Sequence, residues 1–121
     1  MAYNPYKKKS HKYNAKKVEF DGIVFDSKLE AALYVKLKND PKVKLLTLQE
    51  KVYLTEARIM AKIDFKCEMQ DGSTKYVEAK GMDTPVWNIK KRLWAKYGAG
   101  TLEIYKGSYK NPKLDKIIHV L

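Results

Sequence analysis

The stretch 62–80, Lys-Ile-Asp-Phe-Lys-Cys-Glu-Met-Gln-Asp-Gly-Ser-Thr-Lys-Tyr-Val-Glu-Ala-Lys, constrains this chain more than any other. Ile63, Phe65, Cys67 and Met69 alternate with Lys62, Asp64, Lys66 and Glu68, the period of a strand with one apolar and one charged face. Asp71-Gly72 is a turn signal, so the stretch reads as a β-hairpin with Asp64 on one arm and Glu78-Ala79-Lys80 on the other. Two turn lengths are open. A two-residue Asp71-Gly72 loop sets Asp64 against Ala79, whereas a three-residue Gln70-Asp71-Gly72 loop sets Asp64 against Glu78, Lys62 against Lys80, Phe65 against Val77 and Ile63 against Ala79. Only the second gathers Ile63, Phe65, Val77 and Ala79 on one apolar face, and it is the register expected.

That register opposes two carboxylates, which repel where they meet on a strand pair. A divalent cation removes the conflict, because carboxylate oxygens are the ligands a hard ion such as Mg²⁺ prefers, and a neighbouring lysine can hold a phosphate or steer a water. Taken alone, Asp64, Glu78 and Lys80 read first as the polar outer face of an ordinary hairpin, because so short a motif often arises by chance. The rest of the chain has to separate the two readings.

A length of 121 residues suits one domain with a modest core of two layers, and 45% hydrophobic with 32% charged residues makes the chain globular. The net charge of +11 favours a polyanionic partner, nucleic acid before membrane, since no stretch approaches the roughly 20 apolar residues of a membrane span. One cysteine, Cys67, excludes an intrachain disulfide and a thiolate zinc cluster and fits a reducing compartment. His11 and His119 have no Cys or His at ligand spacing. The first residues carry basic side chains with no apolar run behind them, so no signal peptide is expected and the chain reads as cytoplasmic.

Residues 1–17 form a basic arm in which Lys7, Lys8, Lys9, Lys12, Lys16 and Lys17 are interleaved with Tyr3, Tyr6, His11 and Tyr13. The pattern suits phosphates with bases stacked between them, and a solubilising tail equally. Residues 18–25 read as a hairpin pivoting on Asp21-Gly22. Ser27 with Glu30 is a capping box that starts a helix striped by Leu29, Leu33 and Leu37, and Glu30 lies at the border of that stripe as cap, site residue or both. Asn39-Asp40-Pro41 ends the helix. Residues 43–54 supply a long strand or a bent pair, interrupted by Gln49, whose amide suits an open backbone group at a bend or a phosphate.

Thr84-Pro85 begins a second helix, with Val86, Ile89, Leu93 and Tyr97 expected as its buried stripe, Trp94 flanking it, and Trp87 and Trp94 as core residues. Lys90, Lys91, Arg92 and Lys96 crowd the remainder, and a helix folding back on the hairpin brings Lys90 near the carboxylates. Gly98 stops the helix, 101–105 alternates as a strand, 107–116 reads as a polar loop, and 117–121 closes the sheet or packs as a tail. The order of elements is that of an α/β or α+β domain, a small mixed β-sheet flanked by helices.

Glu30 on the first helix, Asp64 on one strand and Glu78-Ala79-Lys80 on the next resemble the PD-(D/E)XK nuclease superfamily. More narrowly, Asp21-Gly-Ile-Val-Phe-Asp-Ser-Lys-Leu-Glu30, Leu48-Gln49, Ile63-Asp-Phe65 and Val77-Glu-Ala-Lys-Gly81 resemble small phage and prophage proteins similar in motif plan to phage endonucleases that resolve Holliday junctions. Ile63 stands where the superfamily's proline would be. The resemblance implies a restriction-endonuclease-like domain over 18–121 and a metal-dependent endodeoxyribonuclease acting on branched DNA as a homodimer, in the bacterial host cell if phage-encoded. It implies Mg²⁺ or Mn²⁺ on Asp64, Glu78 and the Ala79 carbonyl, with Glu30 completing the site and Lys80 orienting the attacking water. No membrane and no small-molecule cofactor enter this reading. DNA would be held by Lys7, Lys8, Lys9, Lys12, Lys16 and Lys17 of the arm and by Lys90, Lys91 and Lys96 of the second helix. Two other classes use the same residues: a non-catalytic nucleic-acid-binding module of this fold, and a structural component of a phage assembly. RNA is open as a substrate too, because no motif here is specific to either nucleic acid.

Overall fold

The structure is a computed structural model and describes residues 17–121. In chain order the elements are β1 (Val18–Phe20), β2 (Ile23–Phe25), α1 (Lys28–Lys38), β3 (Val43–Tyr53), β4 (Met60–Met69), β5 (Thr74–Ala79), α2 (Pro85–Tyr97), β6 (Thr101–Ser108) and β7 (Asn111–Ile118). β1 and β2 pair by themselves, and the other strands form one sheet in the order β3-β4-β5-β6-β7. β5 and β6 run parallel with α2 as the crossover, and the remaining pairs are antiparallel. The chain is an α+β domain with a small mixed sheet flanked by helices, as its element order leads one to expect.

Local chemistry sets the registers. Phe20 pairs with Ile23 across Asp21 and Gly22, whose φ values of 58° and 76° are those of a type I′ turn. Phe65 pairs with Val77 and Cys67 with Lys75, and the Met69 N–H reaches the Ser73 carbonyl at 2.8 Å. The connection is therefore the three-residue Gln70-Asp71-Gly72 loop, with Gly72 in the left-handed region at φ 88°. Ser27 caps α1 by accepting the Glu30 N–H at 3.1 Å, and Thr84 caps α2 by accepting that of Trp87 at 3.1 Å.

The sheet is covered on both faces, one layer more than the chain length suggests. Phe65, Cys67 and Val77 pack with Leu33, Tyr34 and Leu37 of α1, while their strand neighbour Tyr76 packs with Leu102, Ile104 and with Trp87 and Trp94 of α2. Burial of each such large apolar side chain contributes about 1.5–3 kcal/mol to holding the helices on the sheet.

Three expectations are corrected. Ile63 does not share the apolar face of Phe65, Val77 and Ala79 but belongs with Ala61 to the α2-side core. The change of side coincides with Gln49, whose φ of 55° puts a left-handed residue between Leu48, paired with Phe65, and Glu50, paired with Ile63. On α2, Val86, Ile89 and Tyr97 face outward at 60%, 48% and 49% exposure, and the helix docks through Trp87 and Trp94 instead. Each indole brings a large apolar surface to the core, and the Trp94 Nε1–H donates to the Gly100 carbonyl at 2.7 Å, which fixes the helix rotation. Finally, 107–116 is no loop: β6 runs on to Ser108, and β7 returns from Asn111 with Ser108 opposite it. β7 is an edge strand exposed along most of its length, so its sequence carries no alternation to read, and its Pro112 is tolerated at an edge.

Candidate active site

The β4–β5 ladder changes character beyond the Phe65–Val77 pair. The Asp64 N–H donates to Glu78 Oε1 at 2.8 Å, and the Ala79 N–H donates to Asp64 Oδ2 at 2.9 Å, so two carboxylates stand in for the backbone carbonyls of a regular ladder. The Lys80 N–H turns the other way, to the Tyr105 carbonyl of β6 at 2.9 Å, and the expected pairing of Lys80 with Lys62 is not formed. Splaying at this point opens the strand pair where the carboxylates sit.

Glu30 comes to the same place from the first turn of α1. Its Oε1 accepts a hydrogen bond from Gln49 Nε2 at 3.0 Å, and the same nitrogen donates to Asp64 Oδ1 at 3.3 Å. Glu30 is thus half of a capping box, since Ser27 caps its N–H while its carboxylate reaches inward instead of back to the cap. Lys80 Nζ stands 3.7 Å from Glu78 Oε2 and 4.5 Å from the centre of the Trp87 ring. Glu30, Asp64, Glu78 and Lys80 are therefore one constellation, drawn from α1, β4 and the end of β5.

Glu30 and Glu78 are each only 5% exposed, the sole charged residue types among the buried side chains of the described residues. Burial pushes the Glu78 carboxyl up to about 9, with repulsion from Asp64 adding to the rise. Burial likewise pushes Glu30 up to about 7, with Asp64 and Asp26 adding to it. The Asp64 carboxyl is raised by burial and partly restored by the Ala79 N–H. With Lys80 the one countercharge beside it among the described residues, Glu78 retains at neutral pH a proton that an ordinary carboxylate releases.

Among the described residues, no group of three or more His, Cys, Asp or Glu side chains surrounds a single ion position. The Gln49 amide lies between Glu30 and Asp64. The donor set itself fits a hard divalent ion: its acidic donors are all carboxylate oxygens, desolvated, and set against each other in a way that positive charge relieves.

The sequence marks Gln49 only as a polar break in an apolar run and does not reveal its part in this constellation. The usable signal is its register, since Gln49 lies between the Leu48–Phe65 and Glu50–Ile63 pairs and hence opposite Asp64. The helix lysines do not act as one group. At about 100° per residue, Lys90, Lys91 and Lys96 leave α2 in three different directions. Lys91 pairs with Asp83 at 3.3 Å, and neither Lys90 nor Lys96 forms an ion pair with a described residue. The described hydrogen bonds and ion pairs do not join Lys90 to the carboxylates. Lys17 is exposed and lies 4.0 Å from Asp26, while Lys7, Lys8, Lys9, Lys12 and Lys16 lie outside the described residues.

Among proteins already classified, residues 10–121 match the family model described as a protein of unknown function, DUF1064. No curated protein and no solved structure matches the chain.

Proposed function

This chain belongs to the DUF1064 family, and we propose that it is a metal-dependent endonuclease hydrolysing phosphodiester bonds in DNA. The observation that carries the proposal is the exchange between Asp64 and the β5 end, by which a buried carboxylate, Glu78, and a half-buried one, Asp64, are held facing each other with Glu30 and Lys80 at their sides. A stabilising role alone gives no reason for this, because desolvated carboxylates without full compensation cost free energy. The layout supports the resemblance to PD-(D/E)XK nucleases and a restriction-endonuclease-like core.

Asp64, Glu78 and the Ala79 carbonyl would hold Mg²⁺ or Mn²⁺, with Glu30 completing the site directly or through water. Such an ion, when bound, lowers the pKa of water and stabilises charge on the phosphoryl oxygens. In hydrolysis the oxygen of water bonds to phosphorus as the bond from phosphorus to the 3′ oxygen breaks, and the leaving oxygen takes up a proton. Lys80 orients the attacking water, its ammonium fixed between Glu78 and the face of Trp87. Gln49 holds Glu30 and Asp64 in mutual position.

Branched DNA and a homodimer go with this reading, since paired cuts in a junction call for two sites related by a two-fold axis. The outward Val86, Ile89 and Tyr97 of α2 offer apolar surface to a second copy. No described helix is long and apolar enough to cross a membrane. The test is cleavage of labelled linear duplex and single strand with Mg²⁺, Mn²⁺ or chelator. Metal-dependent cleavage lost in Asp64→Asn is expected, and equal activity in that variant contradicts the role of Asp64 as a metal ligand.

A further inference from the structure

A groove of about 470 Å³ runs between α2 and β7, lined by Asn88, Lys91, Arg92, Lys116, Ile117 and His119 among others, with no carboxylate in its lining. Its walls are fixed. Ile118 is buried in the α2-side core and pairs with Leu102, and the Leu121 N–H donates to the Ala95 carbonyl of α2 at 2.8 Å. None of its lining residues belongs to the Glu30, Asp64, Glu78 and Lys80 constellation.

We infer that this groove is a second nucleic-acid site, which seats the phosphodiester backbone on Arg92 and Lys116. Lys91 is already tied to Asp83, whereas neither Arg92 nor Lys116 forms an ion pair with a described residue. An arginine fork matches phosphate oxygens in pairs, and the Asn88 amide and His119 imidazole add donors along the same wall. Ile117, 42% exposed, gives an apolar contact for sugar. The volume exceeds one phosphate group, and a concave wall follows a chain of phosphates better than a flat membrane surface.

At about 100° per residue, Asn88, Lys91 and Ala95 lie on the side of α2 away from Val86 and Tyr97, while Arg92, three residues after Ile89, stands at the edge between the two sides.

The inference rests on the nucleic-acid part of the proposed function and not on cleavage, so it is tested with chelator present. Binding of the full chain to a labelled duplex is followed by anisotropy over a salt series, for wild type, for Arg92→Ala/Lys116→Ala, and for Lys51→Ala/Lys113→Ala, which removes the same charge elsewhere. At about 0.9 in slope per phosphate contact, the groove pair is expected to lower the log–log salt slope by about 2 and affinity by tenfold or more near 0.1 M salt. The control pair should change both less, and thermal melting checks that all three fold alike. An equal loss in both pairs, or no loss in either, overturns the inference. So does a groove variant that keeps its duplex affinity and loses only binding to phosphatidylserine vesicles. Failure of the nuclease reading would appear separately, as absent cleavage by wild type in Mg²⁺.

Discussion

Glu78 Oε1 accepts the backbone N–H of Asp64, and the Asp64 carboxylate accepts that of Ala79, the residue beside Glu78. Each side chain thereby holds the strand opposite, and the repulsion between them is built into the sheet.

The first consequence is a pH-dependent stability. Glu78 keeps its proton in the folded state up to about 9, against 4.5 for an ordinary glutamate. Between those values the folded chain binds a proton that the unfolded chain has released, so stability falls as pH rises from about 4.5 to about 9. Glu78→Gln cannot ionise and retains an oxygen for the Asp64 N–H. In chelator it should melt several degrees above wild type at pH 8, a gain on the order of a few kcal/mol, with the gap closing towards pH 5. Added Mg²⁺ should raise the wild-type melting temperature more at pH 8 than at pH 5. Parallel melting profiles for the two proteins across this range would remove the buried acid from the explanation.

Gln49 separates strain from positioning. Its φ of 55° favours glycine, whereas its amide bridges Glu30 and Asp64. Gln49→Gly relieves the backbone by about 1 kcal/mol and Gln49→Leu does not, yet both lose the bridge. Cleavage should fall roughly 10–100-fold in both, the range for residues that orient ligands, while their thermal stabilities move apart. Full activity in Gln49→Gly would reduce Gln49 to a bend in β3.

Lys80 sits over Trp87, so its position has an optical reporter. Lys80→Ala should abolish cleavage, leave DNA binding largely intact and change the tryptophan emission as the cation leaves the ring. Lys80→Arg should keep more of the emission signal and still lose most of the activity, because a planar guanidinium cannot replace a compact ammonium. Wild-type cleavage by Lys80→Ala would end the case for its role.

The hairpin register from the turn to the Phe65–Val77 pair, both helix caps and the convergence of Asp64, Glu78 and Lys80 are legible in the sequence because each depends on nearby residues: a glycine at φ 88°, a serine or threonine cap, an alternating run. What is not legible depends on distant surface. The rotation of α2 is decided by which residues find a partner across the sheet, and Trp94 finds Tyr76 at 5.1 Å between ring centres. β7 fully buries only Ile118, which is too little to impose a period. Gln49 reads as an interruption because its meaning lies in β4 and α1, not in its own strand.

The basic arm makes its own prediction. Removing residues 1–17 deletes six lysines, Lys7, Lys8, Lys9, Lys12, Lys16 and Lys17. Duplex binding should weaken, and its salt dependence should flatten in proportion to the number of phosphates that the arm neutralises. An unchanged slope would make the arm a solubilising tail.

The measurement that bears most directly on the proposed activity uses a labelled four-way DNA junction beside linear duplex, with Mg²⁺, Mn²⁺ or chelator, for wild type and Glu78→Gln. Expected are paired nicks near the branch point that require metal and vanish in Glu78→Gln. Binding without cleavage under every metal condition would contradict the nuclease and leave a nucleic-acid-binding module whose facing carboxylates serve another purpose.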